Sequence, residues 1–176
     1  KKKIQVRIEP VKDTTSKINH DFRIKEISYL RCNMYHNKYE NILSHPNIDS
    51  NRIKKCANEY FHTYKKIKKK YNNRNYKRSD LSSGLIGIIT LSPHINSMLK
   101  DKEISLNELG DMFLNSLSNV QNKLRDICCD NSVSTLYWAI HMDEKTPHLH
   151  FMMPNFLSNS KSLFGTVRNS KRMSEL

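Results

Sequence analysis

The sequence predicts an α+β fold in which an antiparallel sheet carries helices on one face and a three-histidine metal site on the other. Residues 133–141 (V-S-T-L-Y-W-A-I-H) and 148–154 (H-L-H-F-M-M-P) are rich in β-branched and aromatic side chains, which is typical of strands. Residues 105–128 instead repeat apolar side chains with the period of a helix. The stretch H-M-D-E-K-T-P-H-L-H at 141–150 places three imidazoles and two carboxylates between the two predicted strands.

The remaining elements follow in chain order. Residues 3–11 alternate apolar and polar side chains and predict a strand, a polar turn follows, and apolar positions between 18 and 30 indicate a short helix. Residues 50–70 predict a basic helix capped by Ser50, and the continuous apolar run at 84–91 predicts a buried central strand. A last helix is expected near residues 161–176. This order of elements is that of an α+β sandwich.

One hairpin register satisfies both packing and metal coordination. A turn over M-D-E-K-T-P pairs His141 with His148 and Ala139 with His150, which puts the three histidines on one face. His148 and His150 then project the same way, about 6.6 Å apart. The opposite face carries a consistent apolar surface, made of Leu136, Trp138, Ile140, Leu149, Phe151 and Met153.

Three imidazoles on one face indicate a metal site, although a single histidine on a half-buried strand is more often structural. Imidazole suits Zn, Mn, Co, Ni or Fe, so the residues alone leave the ion open. Asp143 and Glu144 lie in the turn, where a carboxylate can bind the ion, hold a ligating imidazole or move a proton.

The charge of the chain favours a polyanionic partner, with DNA as the leading candidate. Lys+Arg 30 against Asp+Glu 17 gives a net charge of +13. The positive charge is densest at 65–78, where tyrosines that can stack on bases are interleaved with basic residues. A solvated helix face is the alternative interpretation of this run. The candidate DNA-binding residues are Lys65, Lys66, Lys68, Lys69, Lys70, Arg74, Lys77 and Arg78.

The four cysteines show no C-x-x-C spacing, which favours reduced thiols, and no apolar stretch has the length of a membrane span. We therefore expect a cytoplasmic protein.

Three motifs resemble those of relaxases of the plasmid mobilisation and recombination group, the Mob/Pre family of HUH endonucleases. H-M-D-E-K-T-P-H-L-H matches the signature H-x-D-E-x-x-P-H-x-H of that group at every fixed position. H-D-F-R at 20–23 resembles the early H-N-x-R motif, with Asp21 in place of asparagine and a bulkier Phe22, and K-R-S-D at 77–80 resembles the step before the central strand.

The resemblance implies roles for individual residues. The three histidines of the hairpin would hold a divalent ion, Mn²⁺ or Mg²⁺, with Glu144 as an accessory acid or base. His20 would be the nucleophile, its proton managed by Asp21 or Glu144, and Arg23 would steady a phosphate. A tyrosine nucleophile remains an alternative, because Tyr29, Tyr35 and Tyr39 follow closely.

The resemblance implies a metal-dependent relaxase that nicks one strand of single-stranded or extruded DNA at an origin of transfer. The cut would leave a 3′-hydroxyl and a 5′-phosphate bound covalently to the protein. The rivals are a rolling-circle initiator or single-strand transposase with a tyrosine nucleophile, a metal-dependent hydrolase that forms no adduct, and a metal-containing DNA-binding module without catalysis.

Further expectations concern the domain organisation, oligomeric state and source of the chain. We expect residues 1–176 to form a single catalytic domain and to be the N-terminal part of a longer protein, whose C-terminal region would form a homodimer. The source would be a bacterial plasmid or other mobile element.

Overall fold

The computed structural model describes most of the sheet and the helices around it. The described residues are 4–11, 14–21, 42–43, 66, 84–135, 137–142, 144, 146–155, 157–159 and 161–169.

The described strands form one five-stranded antiparallel sheet. They are β1 (Gln5–Val11), β2 (Ile42–Leu43), β3 (Gly84–Thr90), β4 (Tyr137–His141) and β5 (His148–Pro154), in the order β1-β3-β5-β4-β2. The apolar run predicted as a central strand is β3, which pairs with β1 on one side and β5 on the other. β1 lies at an edge, and its exposure alternates over residues 5–8 as its sequence pattern predicts.

The described helices are α1 (Thr14–Asp21), α2 (Pro93–Lys100), α3 (Leu106–Cys128) and α4 (Leu163–Arg168). A capping box starts α3: the amide of Glu108 donates to Ser105 Oγ at 3.2 Å, and the amide of Ser105 donates to Glu108 Oε2 at 2.7 Å. α3 ends where Cys129 takes a left-handed conformation with φ 51°.

The core lies between α3 and one face of the sheet. Leu109, Phe113 and Leu124 of α3 are at most 1% exposed and join one cluster with Ile89 and Leu149 of the sheet. α4 adds Leu163 and Val167 to the same cluster. Burial of this apolar stripe is the main driving force for the fold.

The predicted α+β class, the antiparallel sheet and the long helix are confirmed. α1 corrects the prediction of a turn before residue 18, because it begins at Thr14. Polar residues that favour turns are also those that favour helix starts, so the sequence pattern allowed both structures. The C-terminal end of α1 also covers the histidine face of the sheet, opposite α3.

Parts of three predicted elements lie outside the described residues. These are the segment 22–30 of the first helix, the helix at 50–70 apart from Lys66, and the segment 170–176 of the last helix. Within the described ranges, no helix has the length and apolar character needed to cross a membrane.

Candidate metal centre

The β4–β5 hairpin brings the three predicted ligands together. His141 pairs with His148 and Ala139 with His150, as predicted from the sequence. The imidazoles are buried, with exposures of 0% for His141, 9% for His148 and 4% for His150. Their ring centroids lie 4.6 to 5.2 Å apart. Three imidazoles therefore converge on the face of the sheet opposite α3.

Hydrogen bonds fix which ring nitrogen of each histidine can act as a ligand. His148 Nδ1 donates to the carbonyl of Thr146, and His141 Nε2 donates to the carbonyl of Asp21, both at 2.8 Å. Because a carbonyl can only accept, the lone pair of a neutral ring lies on His148 Nε2 and His141 Nδ1. His150 Nδ1 lies 3.1 Å from Asp21 Oδ1, which leaves Nε2 for an ion. Metal-ligating histidines are typically held in this way.

Glu144 adds an oxygen donor to the cluster. Its Oε1 lies 3.6 Å from His141 Nδ1, and its Oε2 lies 3.8 Å from His148 Nε2. Carboxylate oxygens and imidazole lone pairs repel each other, so this spacing suits a cation or proton between them. Donor atoms of His141, Glu144 and His148 all lie within 4.8 Å of one another. The donor set therefore fits a divalent ion that accepts both nitrogen and oxygen ligands.

The end of α1 places His20 beside this cluster. Its ring centroid lies 5.5 Å from those of His141 and of His150. The His20 side chain is 26% exposed, so it is accessible from solvent while the other rings are covered. His20, His141 and His150 also form a second group of donor atoms within 4.8 Å of one another.

Asp21 connects His20 to the imidazole cluster. Its Oδ1 lies 3.2 Å from His20 Nδ1 and 3.1 Å from His150 Nδ1, and its Oδ2 accepts from the hydroxyl of Tyr137 at 2.8 Å. Burial alone would raise the pKa of Asp21, but the hydrogen bonds from His150 and His20 hold it well below its usual value. Asp21 is therefore a carboxylate, although it is 0% exposed.

Tyr137 stays a hydrogen-bond donor at any ordinary pH. Burial, followed by the negative charge of Asp21, raises the pKa of its phenol well above the usual value. Sequence reasoning did not identify Tyr137, and it considered Asp21 only as a neighbour that could move a proton. The signal was a tyrosine on the histidine face of β4, because a buried tyrosine hydroxyl needs a partner.

Of the predicted site residues, the structure brings five together: His20, His141, Glu144, His148 and His150. Lys66 is exposed, as a phosphate contact requires. The other predicted residues lie outside the described residues and stay predictions: Arg23, Lys65, Lys68, Lys69, Lys70, Arg74, Lys77 and Arg78, with Asp143 and the alternative nucleophiles Tyr29, Tyr35 and Tyr39.

The chain belongs to the plasmid recombination enzyme family, Mob_Pre, which matches residues 16–176. This confirms the relaxase group that the two histidine motifs predicted. No curated protein matches the chain.

Among solved structures, the chain is similar to the MobM relaxase domain, described as Mn-bound and bound to oriT DNA of plasmid pMV158. Two such structures, at pH 5.5 and pH 4.6, give TM-scores of 0.57 and 0.60 at 16% and 15% identity. The alignments cover 97% and 98% of this chain, and 75% and 80% of the MobM chains. A third, with a 3′-thiophosphate, gives 0.54 at 17% identity and covers 97% of this chain and 75% of the MobM chain. At these identities, the likeness concerns the fold.

Proposed function

We propose that this relaxase nicks one DNA strand at a plasmid origin of transfer and keeps the 5′-phosphate covalently on His20. The observation that carries the proposal is the position of His20, half-buried beside the three converging imidazoles. The MobM domain, which shares the fold, is Mn-bound and bound to oriT DNA.

His141, His148 and His150 would hold the divalent ion, with Glu144 as a further donor or an accessory acid or base. Mn²⁺ is the favoured ion because the MobM structures contain it, and Mg²⁺ is the alternative. When bound, such an ion neutralises non-bridging phosphate oxygens and polarises phosphorus as a Lewis acid.

His20 would supply the attacking nitrogen. With Nδ1–H directed at the Asp21 carboxylate, the lone pair lies on Nε2. A bond forms between Nε2 and phosphorus as the bond from phosphorus to the 3′-oxygen breaks. The leaving oxygen takes a proton, for which Glu144 is the proposed donor, and becomes a 3′-hydroxyl. Because one phosphorus bond replaces another, the reaction can be reversed, which suits strand transfer and rejoining.

DNA would be held by the basic segment at 65–78 and by Arg23. The net charge of +13 supports an electrostatic contribution of this kind. The homodimer, the single catalytic domain and the cytoplasmic location stay predictions.

The test uses an oriT oligonucleotide labelled at its 5′ or 3′ end and incubated with the protein and Mn²⁺. On a denaturing gel, the 3′-labelled strand should migrate with the protein, and the 5′-labelled fragment should end in a 3′-hydroxyl. The adduct should be labile in acid, as phosphorus–nitrogen bonds are. His20→Ala should abolish the adduct and retain Mn²⁺ binding.

The other outcomes contradict the proposal in different ways. An acid-stable adduct that survives His20→Ala and disappears in Tyr29→Phe, Tyr35→Phe or Tyr39→Phe would identify a tyrosine nucleophile. Cleavage without an adduct would indicate a hydrolase, and binding without cleavage would indicate a DNA-binding module.

A further inference from the structure

We infer that Asp21, fixed by Tyr137, is the positioning residue that aligns the nucleophile and two of the metal ligands. The inference rests on the proposed function of His20. In this inference Tyr137 controls the rate of attack, although it touches neither an ion nor DNA in the proposed reaction.

Asp21 holds three imidazoles at once. Its Oδ1 faces Nδ1 of both His20 and His150, and its backbone carbonyl accepts from His141 Nε2. A rotation of the Asp21 carboxylate would therefore disturb both the nucleophile and His150, and a shift of its backbone would also move His141. Attack requires the reacting atoms within about 3–3.5 Å, and a misplacement of about 1 Å can cost about 100-fold in rate.

Tyr137 prevents rotation of the Asp21 carboxylate by holding its other oxygen. Its hydroxyl donates to Oδ2 at 2.8 Å across a sequence separation of 116 residues. The Tyr137 ring is 1% exposed and lies in β4, so the hydroxyl has a fixed position. Without this donor, Oδ2 would be a buried acceptor without that hydrogen bond, which favours rotation of the carboxylate.

Alignment also selects the tautomer of His20. An acceptor opposite Nδ1 keeps the proton on that atom and the lone pair on Nε2. If the proton moved to Nε2, the ring would present N–H to phosphorus and could not attack. An asparagine oxygen can accept from His20 and His150 as well, and its amide can donate to Tyr137. Hydrogen-bond geometry, more than charge, therefore defines the role of Asp21.

The experiment measures the single-turnover rate constant for adduct formation at saturating Mn²⁺ and saturating oligonucleotide. Tyr137→Phe should lower this rate constant by about 10-fold or more, with an unchanged oligonucleotide Kd. Asp21→Ala should lower it by about 100-fold and weaken Mn²⁺ binding by about 10–100-fold, measured by titration without DNA. Asp21→Asn should restore most of the rate. Circular dichroism checks that each variant is folded.

The matched control is Ile140→Val, a core change in the same strand. Ile140 is 1% exposed and belongs to the cluster under α3, so it lies on the opposite face of β4. Its rate constant should equal that of the wild type.

Wild-type rates in Tyr137→Phe and Asp21→Ala would overturn the inference, as would an equal loss in Ile140→Val. If Asp21→Ala does not fold, Tyr137→Phe and Asp21→Asn still decide it. These outcomes differ from failure of the proposed function, in which the wild type forms no adduct or His20→Ala retains it.

Discussion

Gly87→Ala is expected to destabilise the sheet that carries the proposed metal ligands. Gly87 of β3 lies opposite Phe151 of β5 in the register. A Cβ at Gly87 would stand 2.0 Å from Cζ of Phe151 and 2.3 and 2.6 Å from the two Cε atoms. Phe151 is 0% exposed, so its ring must move within a packed core.

The expected cost is about 1–3 kcal/mol, the usual range for an overpacked core. For a chain of this size, each kcal/mol lowers the Tm by about 2–4 °C, which gives a decrease of about 2–12 °C. Phe151 directly follows His150 in β5, so a displaced ring should also weaken Mn²⁺ binding.

The assay is urea denaturation of Gly87→Ala, Phe151→Leu and the double variant. Shortening Phe151 makes room for the new methyl group. The double variant should therefore lose less stability than the sum of the two single variants, by about 0.5–3 kcal/mol. Gly165→Ala in α4 is the control, because its Cβ would meet Ser162 at an ordinary 3.5 Å. This control should be neutral or stabilising by up to about 1 kcal/mol. Wild-type stability of Gly87→Ala, or strictly additive costs, would refute the reasoning.

Three further results are expected. Mn²⁺ at about 100 times its Kd should stabilise the wild type by about 2.7 kcal/mol in thermal unfolding, and the double variant His148→Ala with His150→Ala should lose this effect; a retained shift would place the ion elsewhere. Hydrogen bonds from Ser132 and from the Ser158 amide lower the pKa of Asp130 to about 2. Its contribution to stability is therefore present above the unfolded pKa of about 3.9 and lost as pH falls through about 2; equal pH profiles of Asp130→Asn and wild type would contradict this. Replacing lysines 68–70 with Ala should lower the salt dependence of single-strand binding by about 0.7 per lost phosphate contact, and an unchanged slope would exclude those contacts.

The convergence of the three histidines proposed as metal ligands could be predicted from the sequence because their geometry is local. Side chains alternate along a strand, so one hairpin register fixed both the apolar face and the histidine face. Packing of the apolar face and convergence of the histidines are two independent requirements, and both predicted the pairing of His141 with His148. The helix at 105–128 was equally predictable, because its apolar positions repeat over 23 residues and Ser105 with Glu108 marks its start.

Short elements were not predictable in this way. α2 has eight residues, and the Ser92–Pro93 pair at its start gave a weak local signal. β2 has two residues and pairs with β4, so it depends on a partner about a hundred positions away in the sequence. Such elements form because neighbouring structure stabilises them, and intrinsic preference contributes little.

Sequence reasoning missed the link between the proposed nucleophile and the proposed metal ligands. A buried carboxylate such as Asp21 is unfavourable by itself and becomes stable only when several donors surround it. One donor was nevertheless visible in the sequence, because Tyr137 and His141 are four residues apart and share a face of β4. When another segment covers the histidine face, a tyrosine hydroxyl on that face needs an acceptor from the covering segment. Asp21 adjoins the candidate nucleophile, so Tyr137 on the histidine face could have indicated that the end of α1 covers the histidine cluster.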